Sequence, residues 1–165
     1  MTTVAILQAR MTSSRMPGKV LAPLQGQPMI VRQLERLQRA TTLDRIVVAT
    51  STDASDDPLV QALADARPLI GDMPVVRGPL DDVLGRFVLA MQEHPGDVIV
   101  RLTADCPLAS PAVIDAVVTE FLRSGADYAS NTMKPTYPDG LDVEVVRASV
   151  LAEVAAEATD LPERE

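Results

Sequence analysis

Three short apolar runs, at 4–7, 45–50 and 97–103, alternate with segments whose apolar residues recur at helical spacing, and this alternation restricts the chain to few folds. Runs of that length, rich in Val and Ile, read as strands buried on both faces. Strands separated by amphipathic helices predict an α/β fold: a mainly parallel sheet covered by helices. The helical stripes are Ile30, Leu34 and Leu37 after Pro28, with Arg32, Arg36 and Arg39 on the outside; then Leu59, Leu63 and Ala66. Val83, Phe87 and Met91 follow Asp81 or Asp82 at a helix start, and Val113, Val117 and Phe121 follow a Ser110 cap with Pro111 as first residue. A last helix is expected over about 148–158, a short strand over 127–130, and a half-buried strand over 141–146. Val75 and Val76 form too short a run to assign, and Arg77-Gly78-Pro79 reads as a turn.

A length of 165 residues suits a single domain, 1–165, with a core of its own. With two Phe, two Tyr and no Trp, that core must be aliphatic, and the chain lacks the aromatic platforms on which single-stranded nucleic acid stacks. The net charge of −8 also opposes binding to a nucleic acid over the whole surface, yet residues 1–40 carry +5 and the remainder −13. No apolar run reaches the length of a membrane span. The lone Cys106, most simply a small buried residue, fits a reducing compartment, so a cytoplasmic protein is expected.

Positive charge concentrates in the stretch from Gln8 to Lys19, which holds three cations, three hydroxyls and no acid. Arg15 can grip phosphate with its planar fork, Lys19 adds a point charge, and hydroxyls and backbone N–H groups can donate. A triphosphate is the ligand that such a loop suits. In open parallel sheets ligands bind outside the carboxyl ends of the strands. That rule gathers the basic loop, residues 51–53, residues 77–82 and Asp105 at one rim. A cationic loop facing a lone acid suggests a nucleotide with Mg²⁺, held by Asp105 together with phosphate and water.

The run from Ala9 to Lys19, followed by Leu24-Gln25-Gly26-Gln27-Pro28-Met29-Ile30, resembles the start of the CMP-sugar synthetases, the cytidylyltransferases that activate 3-deoxy-manno-octulosonate and acylneuraminates. Residues 77–87 and 137–144 are similar to the subgroup of spore coat polysaccharide biosynthesis protein F. The resemblance implies a three-layer, Rossmann-like nucleotidyltransferase of glycosyltransferase-A type. Its reaction would transfer CMP from CTP to a sugar with release of pyrophosphate, for a surface polysaccharide. Carried over by residue, Arg10, Arg15 and Lys19 would contact the triphosphate, Arg15 and Lys19 as the catalytic pair, while Ser13 and Ser14 would line the loop. Leu7 and Ala9 would approach the base through the backbone, Asp53 and Arg77 would lie near nucleotide or sugar, and Asp105 would match the Mg²⁺ acid. Asp139, Asp142 and Glu144 are weaker candidates for the acceptor sugar. The resemblance also implies that the family's C-terminal part, with its second metal-binding acid, is missing from 1–165.

Plainer readings stand beside these. Asp53, Asp56 and Asp57 read as caps and solvated acids, His94 as a helix-end residue, and the acids of 139–144 as the outer face of a strand. A nucleotide-binding module without turnover, or a glycosyltransferase using a ready-made nucleotide sugar, remains open on the same fold. The chain ends without an element to close the sheet, and an uncovered edge after Val146 leaves a homodimer open.

Overall fold

The computed structural model describes residues 1–13, 15–134, 137–160, 162 and 164. In chain order its elements are β1 (Thr3–Gln8), β2 (Pro23–Leu24), β3 (Gln27–Pro28), α1 (Met29–Leu37), β4 (Arg45–Ser51), α2 (Asp57–Asp65) and α3 (Arg67–Ile70). They continue with β5 (Val75–Gly78), α4 (Val83–Glu93), β6 (Val98–Thr103), α5 (Pro111–Ser124), β7 (Tyr128–Ser130), β8 (Glu144–Arg147) and α6 (Ala148–Glu157). The main sheet has the order β5-β4-β1-β6-β8-β7, and β2 pairs with β3 in a small hairpin. Pairing is parallel from β5 to β6 and antiparallel where β8 joins β6 and β7. Thus the expected mainly parallel sheet carries an antiparallel margin.

The sheet divides the core into two because successive side chains of a strand point to opposite faces. Ala5 and Leu7 of β1 meet the stripe of α1 (Ile30, Leu34, Leu37) and, beyond it, α2 and α5. Val4 and Ile6 turn the other way, onto Val83, Phe87 and Ala90 of α4. The result is helix, sheet, helix. Leu7, Ile30, Leu34, Leu37 and Ile99 are completely buried, each a contribution of about 2 kcal/mol by the area removed from water.

Several expectations need correction. Val75 and Val76 belong to a real strand whose last residues are Arg77 and Gly78, because β4 supplies a parallel partner for all four; the turn starts only after them. Ser110 stands at the start of α5, but its side chain makes no capping bond. Val146 is not on an open edge: β8 has β6 on one side and β7 on the other, so the edge falls on the three residues of β7. Asp56 is no solvated acid, since it is buried completely. Of the chain end, Arg164 packs on the start of α4, where its carbonyl accepts from the Leu84 amide at 2.9 Å and its guanidinium pairs with Asp82 at 2.8 Å.

Candidate functional site

The segment after β1 is folded around one residue. The Met11 carbonyl accepts from the amides of Ser13 (3.0 Å) and Gly18 (2.8 Å), and the Met11 amide donates to Asp56 Oδ1 at 2.7 Å. Gly18, at φ 72°, occupies the left-handed region that favours glycine and feeds a short helical turn, Lys19–Leu21. The other Asp56 oxygen accepts from the Thr50 hydroxyl (2.9 Å), the Ser51 amide (3.0 Å) and the Ser51 hydroxyl. One buried carboxylate therefore ties the basic loop to the end of β4. Burial pushes its pKa up, but the donors from Met11, Ser51 and Thr50 outweigh that and hold it below the usual carboxylate range.

So anchored, the loop lines a cavity of about 230 Å³ with Gln8, Ala9, Arg10, Ser13, Arg15 and Lys19, closed on the far side by Thr103, Ala104 and Asp105 at the end of β6. Strands β1 and β6 are neighbours with Gln8 opposite Thr103, which is why two segments nearly a hundred residues apart face each other. Lys19 Nζ lies 2.8 Å from Asp105 Oδ2. Burial raises the Asp105 pKa, yet the Lys19 ammonium and the Thr103 hydroxyl bring it below its ordinary value. Among the described residues the side chains of Arg10 and Arg15 have no hydrogen-bond or ion-pair partner, so both are available to an anion.

A second cavity of about 680 Å³ shares Ser13, Arg15, Lys19 and Asp105 and extends to Cys106, Asp139 and Asp142. Asp139 and Asp142 thus reach the same centre. Cys106 is only half-buried, with Sγ 3.6 Å from Asp105 Oδ1, and burial raises its thiol pKa.

Other predicted residues lie elsewhere. Glu144 belongs to the opposite face of the sheet, where it pairs with Arg101 and accepts from the Tyr128 hydroxyl at 3.1 Å; an alternating strand residue next to the buried Val143 and Val145 must point away from them. Arg77 is occupied in holding the β4 turn, through the carbonyls of Ser51 (2.7 Å) and Asp53 (3.0 Å) and an ion pair to Asp57 at 2.7 Å. Asp53 caps that turn by accepting from the Ser55 amide at 2.9 Å, and the Ser55 contacts lower its pKa. Leu7 is fully buried between β4 and β6, one residue before Gln8 of the cavity lining, and Ala9 lines the cavity. Ser14 lies outside the described residues.

Comparison with known proteins joins this geometry to a family. A model described as cytidylyltransferase matches residues 4–160. The chain belongs to the cytidylyltransferase family. It is 34% identical over 154 residues to the spore coat polysaccharide biosynthesis protein SpsF of Bacillus subtilis, covering 91% of this chain and 61% of that one. It is 34% identical over 126 residues to the 3-deoxy-manno-octulosonate cytidylyltransferase of Chlorobaculum parvum, covering 76% and 48%. The solved structure of a cytidylyltransferase from Leptospira borgpetersenii superposes with a TM-score of 0.91 at 30% identity, over 100% of this chain and 68% of that one. The chain spans about half to three fifths of the length of the curated relatives it matches.

For a cytidylyltransferase two residues stand out that spacing and composition did not single out. Asp56 is one. The other is Arg86 of α4, completely buried, whose Nη1 donates to the carbonyls of Pro79 and Leu80, both at 2.7 Å. Burial and then the like charge of Arg10 lower its pKa, against Asp56, Asp82 and Asp81. It falls between Val83 and Ala90 on the apolar stripe of its helix, and a charge at such a position is the signal that marks it. Gly78 makes room for it: a Cβ there would stand 2.9 Å from Arg86 Cγ.

The residues fit a divalent cation that arrives with phosphate. No group of three or more His, Cys, Asp or Glu side chains gathers among the described residues, so a dedicated protein cage is not offered. One carboxylate at a phosphate site is, however, a usual arrangement for Mg²⁺, which takes the rest of its shell from water and phosphate oxygens.

Proposed function

We propose that residues 1–165 form a nucleotidyltransferase unit that binds CTP with Mg²⁺ and transfers CMP to a sugar destined for a surface polysaccharide. The observation that carries this reading is the arrangement of Arg10, Arg15 and Lys19 around one cavity with Asp105 opposite, at the carboxyl ends of parallel strands. The names of the relatives, a spore coat polysaccharide protein and a 3-deoxy-manno-octulosonate cytidylyltransferase, supply the class of acceptor. In the transfer a sugar hydroxyl oxygen bonds to the α-phosphorus and gives up its proton to water, the bond from that phosphorus to the bridging oxygen breaks, and pyrophosphate leaves with the electron pair. Arg10, Arg15 and Lys19 hold the triphosphate and meet the charge that grows on the departing oxygens. Asp105 would hold the metal, which screens the phosphates and aligns them for in-line attack. Asp139 and Asp142, across the larger cavity, line the place for the acceptor hydroxyls.

Calorimetric titration of the full chain with CTP in the presence of Mg²⁺, followed by pyrophosphate release with candidate sugars, tests this. Arg15→Ala should weaken CTP about 10- to 100-fold, as expected for loss of one charge-assisted contact. Absence of any CTP binding by the folded wild-type chain at millimolar concentration would overturn the reading.

A further inference from the structure

Arg86 is buried completely, and its Nε and Nη2 atoms have no hydrogen-bond partner among the described residues. An interior guanidinium left half-satisfied is a costly feature, which makes the work of its satisfied half informative. Nη1 draws in two successive carbonyls, those of Pro79 and Leu80, at 2.7 Å each. In a planar trans peptide the carbonyl and the following N–H point in opposite directions. Pulling these two carbonyls inward therefore turns the amides of Leu80 and Asp81 outward, and neither meets an acceptor among the described residues. Successive outward amides are a donor pair. They follow Gly78, the last residue of β5, whose carbonyl accepts from the Thr52 amide at 2.8 Å, so they lie on the same rim as the basic loop. The proximity of Arg10 to Arg86 joins the two segments.

We propose that Arg86 is a positioning residue for nucleobase choice: it aims two adjacent backbone donors at a base whose edge offers two adjacent acceptors. This rests on the nucleotide reading above. Cytosine presents such an edge, with O2 beside N3. Uracil carries a proton on N3, so one of the two amides would face a donor; adenine sets its 6-amino donor beside N1, and guanine sets N1–H beside O6, so on that edge neither offers two adjacent acceptors. A lost hydrogen bond and an opposed donor together discriminate strongly, because the unpaired groups are withdrawn from water.

The experiment measures dissociation constants of CTP and UTP by calorimetry for the full chain and for Arg86→Met, Arg86→Lys and Leu80→Pro, with folding checked by circular dichroism and thermal melting. The wild type should favour CTP. Arg86→Met should weaken CTP at least tenfold and change UTP less than twofold. Arg86→Lys, which keeps a cationic donor one bond short of Nη1, should recover part of the preference, which a merely space-filling role for Arg86 would not allow. Leu80→Pro deletes one of the two donors with Arg86 intact and should also lose the preference, which keeps the test decisive if Arg86→Met does not fold. A CTP-to-UTP ratio within twofold of wild type in the folded variants, or a wild type that binds both nucleotides equally, overturns the inference and leaves the nucleotide site standing. A wild type that binds neither nucleotide defeats the site itself.

Discussion

Replacing Asp56 by Asn keeps the shape of the side chain and removes one acceptor from a place where four donors converge. Oδ2 serves the Thr50 hydroxyl and the amide and hydroxyl of Ser51, and Oδ1 serves the Met11 amide. The two hydroxyls can rotate, but the two amides cannot. If the Asn oxygen takes the place of Oδ2, its NH₂ group faces the Met11 N–H, donor against donor. One charge-assisted bond is lost and one amide is left unpaired out of water, together about 3 kcal/mol. For a chain of this size that lowers the melting temperature by about 6–12 °C. Acid should erase the difference. The folded state holds the Asp56 carboxyl below its unfolded pKa, so its contribution is complete above the unfolded value and disappears as the pH falls through the folded one. The gap between wild-type and Asp56→Asn stabilities should therefore start to narrow only below about pH 4 and close as the pH falls through the lower, folded pKa. Urea melts from pH 7 to pH 3 measure this. A loss under about 0.5 kcal/mol at pH 7 would refute the claim that this carboxylate ties the loop to β4.

Lys19→Met should weaken CTP about 10- to 100-fold by calorimetry, and should let the Asp105 pKa rise, read from its carboxyl resonance, because the ammonium at 2.8 Å is the leading influence that lowers it. Glu144→Gln should leave CTP affinity within twofold of wild type, since Glu144 faces away from the cavities; with Arg101 partly exposed, the stability lost should stay below about 1 kcal/mol in a thermal melt.

The layers of this protein are legible in its sequence because they rest on local periodicity. The stripe of Ile30, Leu34 and Leu37 and the apolar runs of β1, β4 and β6 each announce themselves within ten residues. The meeting of Lys19 and Asp105 is legible at one remove, through the rule that loops after parallel strands share a rim. Asp56 was hidden because its donors come from residues 11, 50 and 51, and no single window shows a carboxylate that three segments enclose. Arg86 is inconspicuous for a different reason: an arginine in a helix is ordinarily a surface residue, although its spacing from Val83 and Ala90 assigns it to the inside. For Glu144, alternation tells which residues share a face but not that the other face of this sheet, under α4 and α6, is covered as well.

The contact between Lys19 and Asp105 also bears on which species can enter. Each of the two groups is the other's counter-ion, so among the described residues the positive charge left over in the cavity before a ligand arrives is that of Arg10 and Arg15. A bare anion drawn to Lys19 must leave the carboxylate exposed to the anion's own charge, and a bare cation drawn to Asp105 must leave the ammonium unbalanced. On the function proposed above, a polyphosphate that carries its own divalent cation would exchange for both partners at once, phosphate to the lysine and metal to the aspartate. On that same function, the pair would favour ligands that bring both signs of charge in one package.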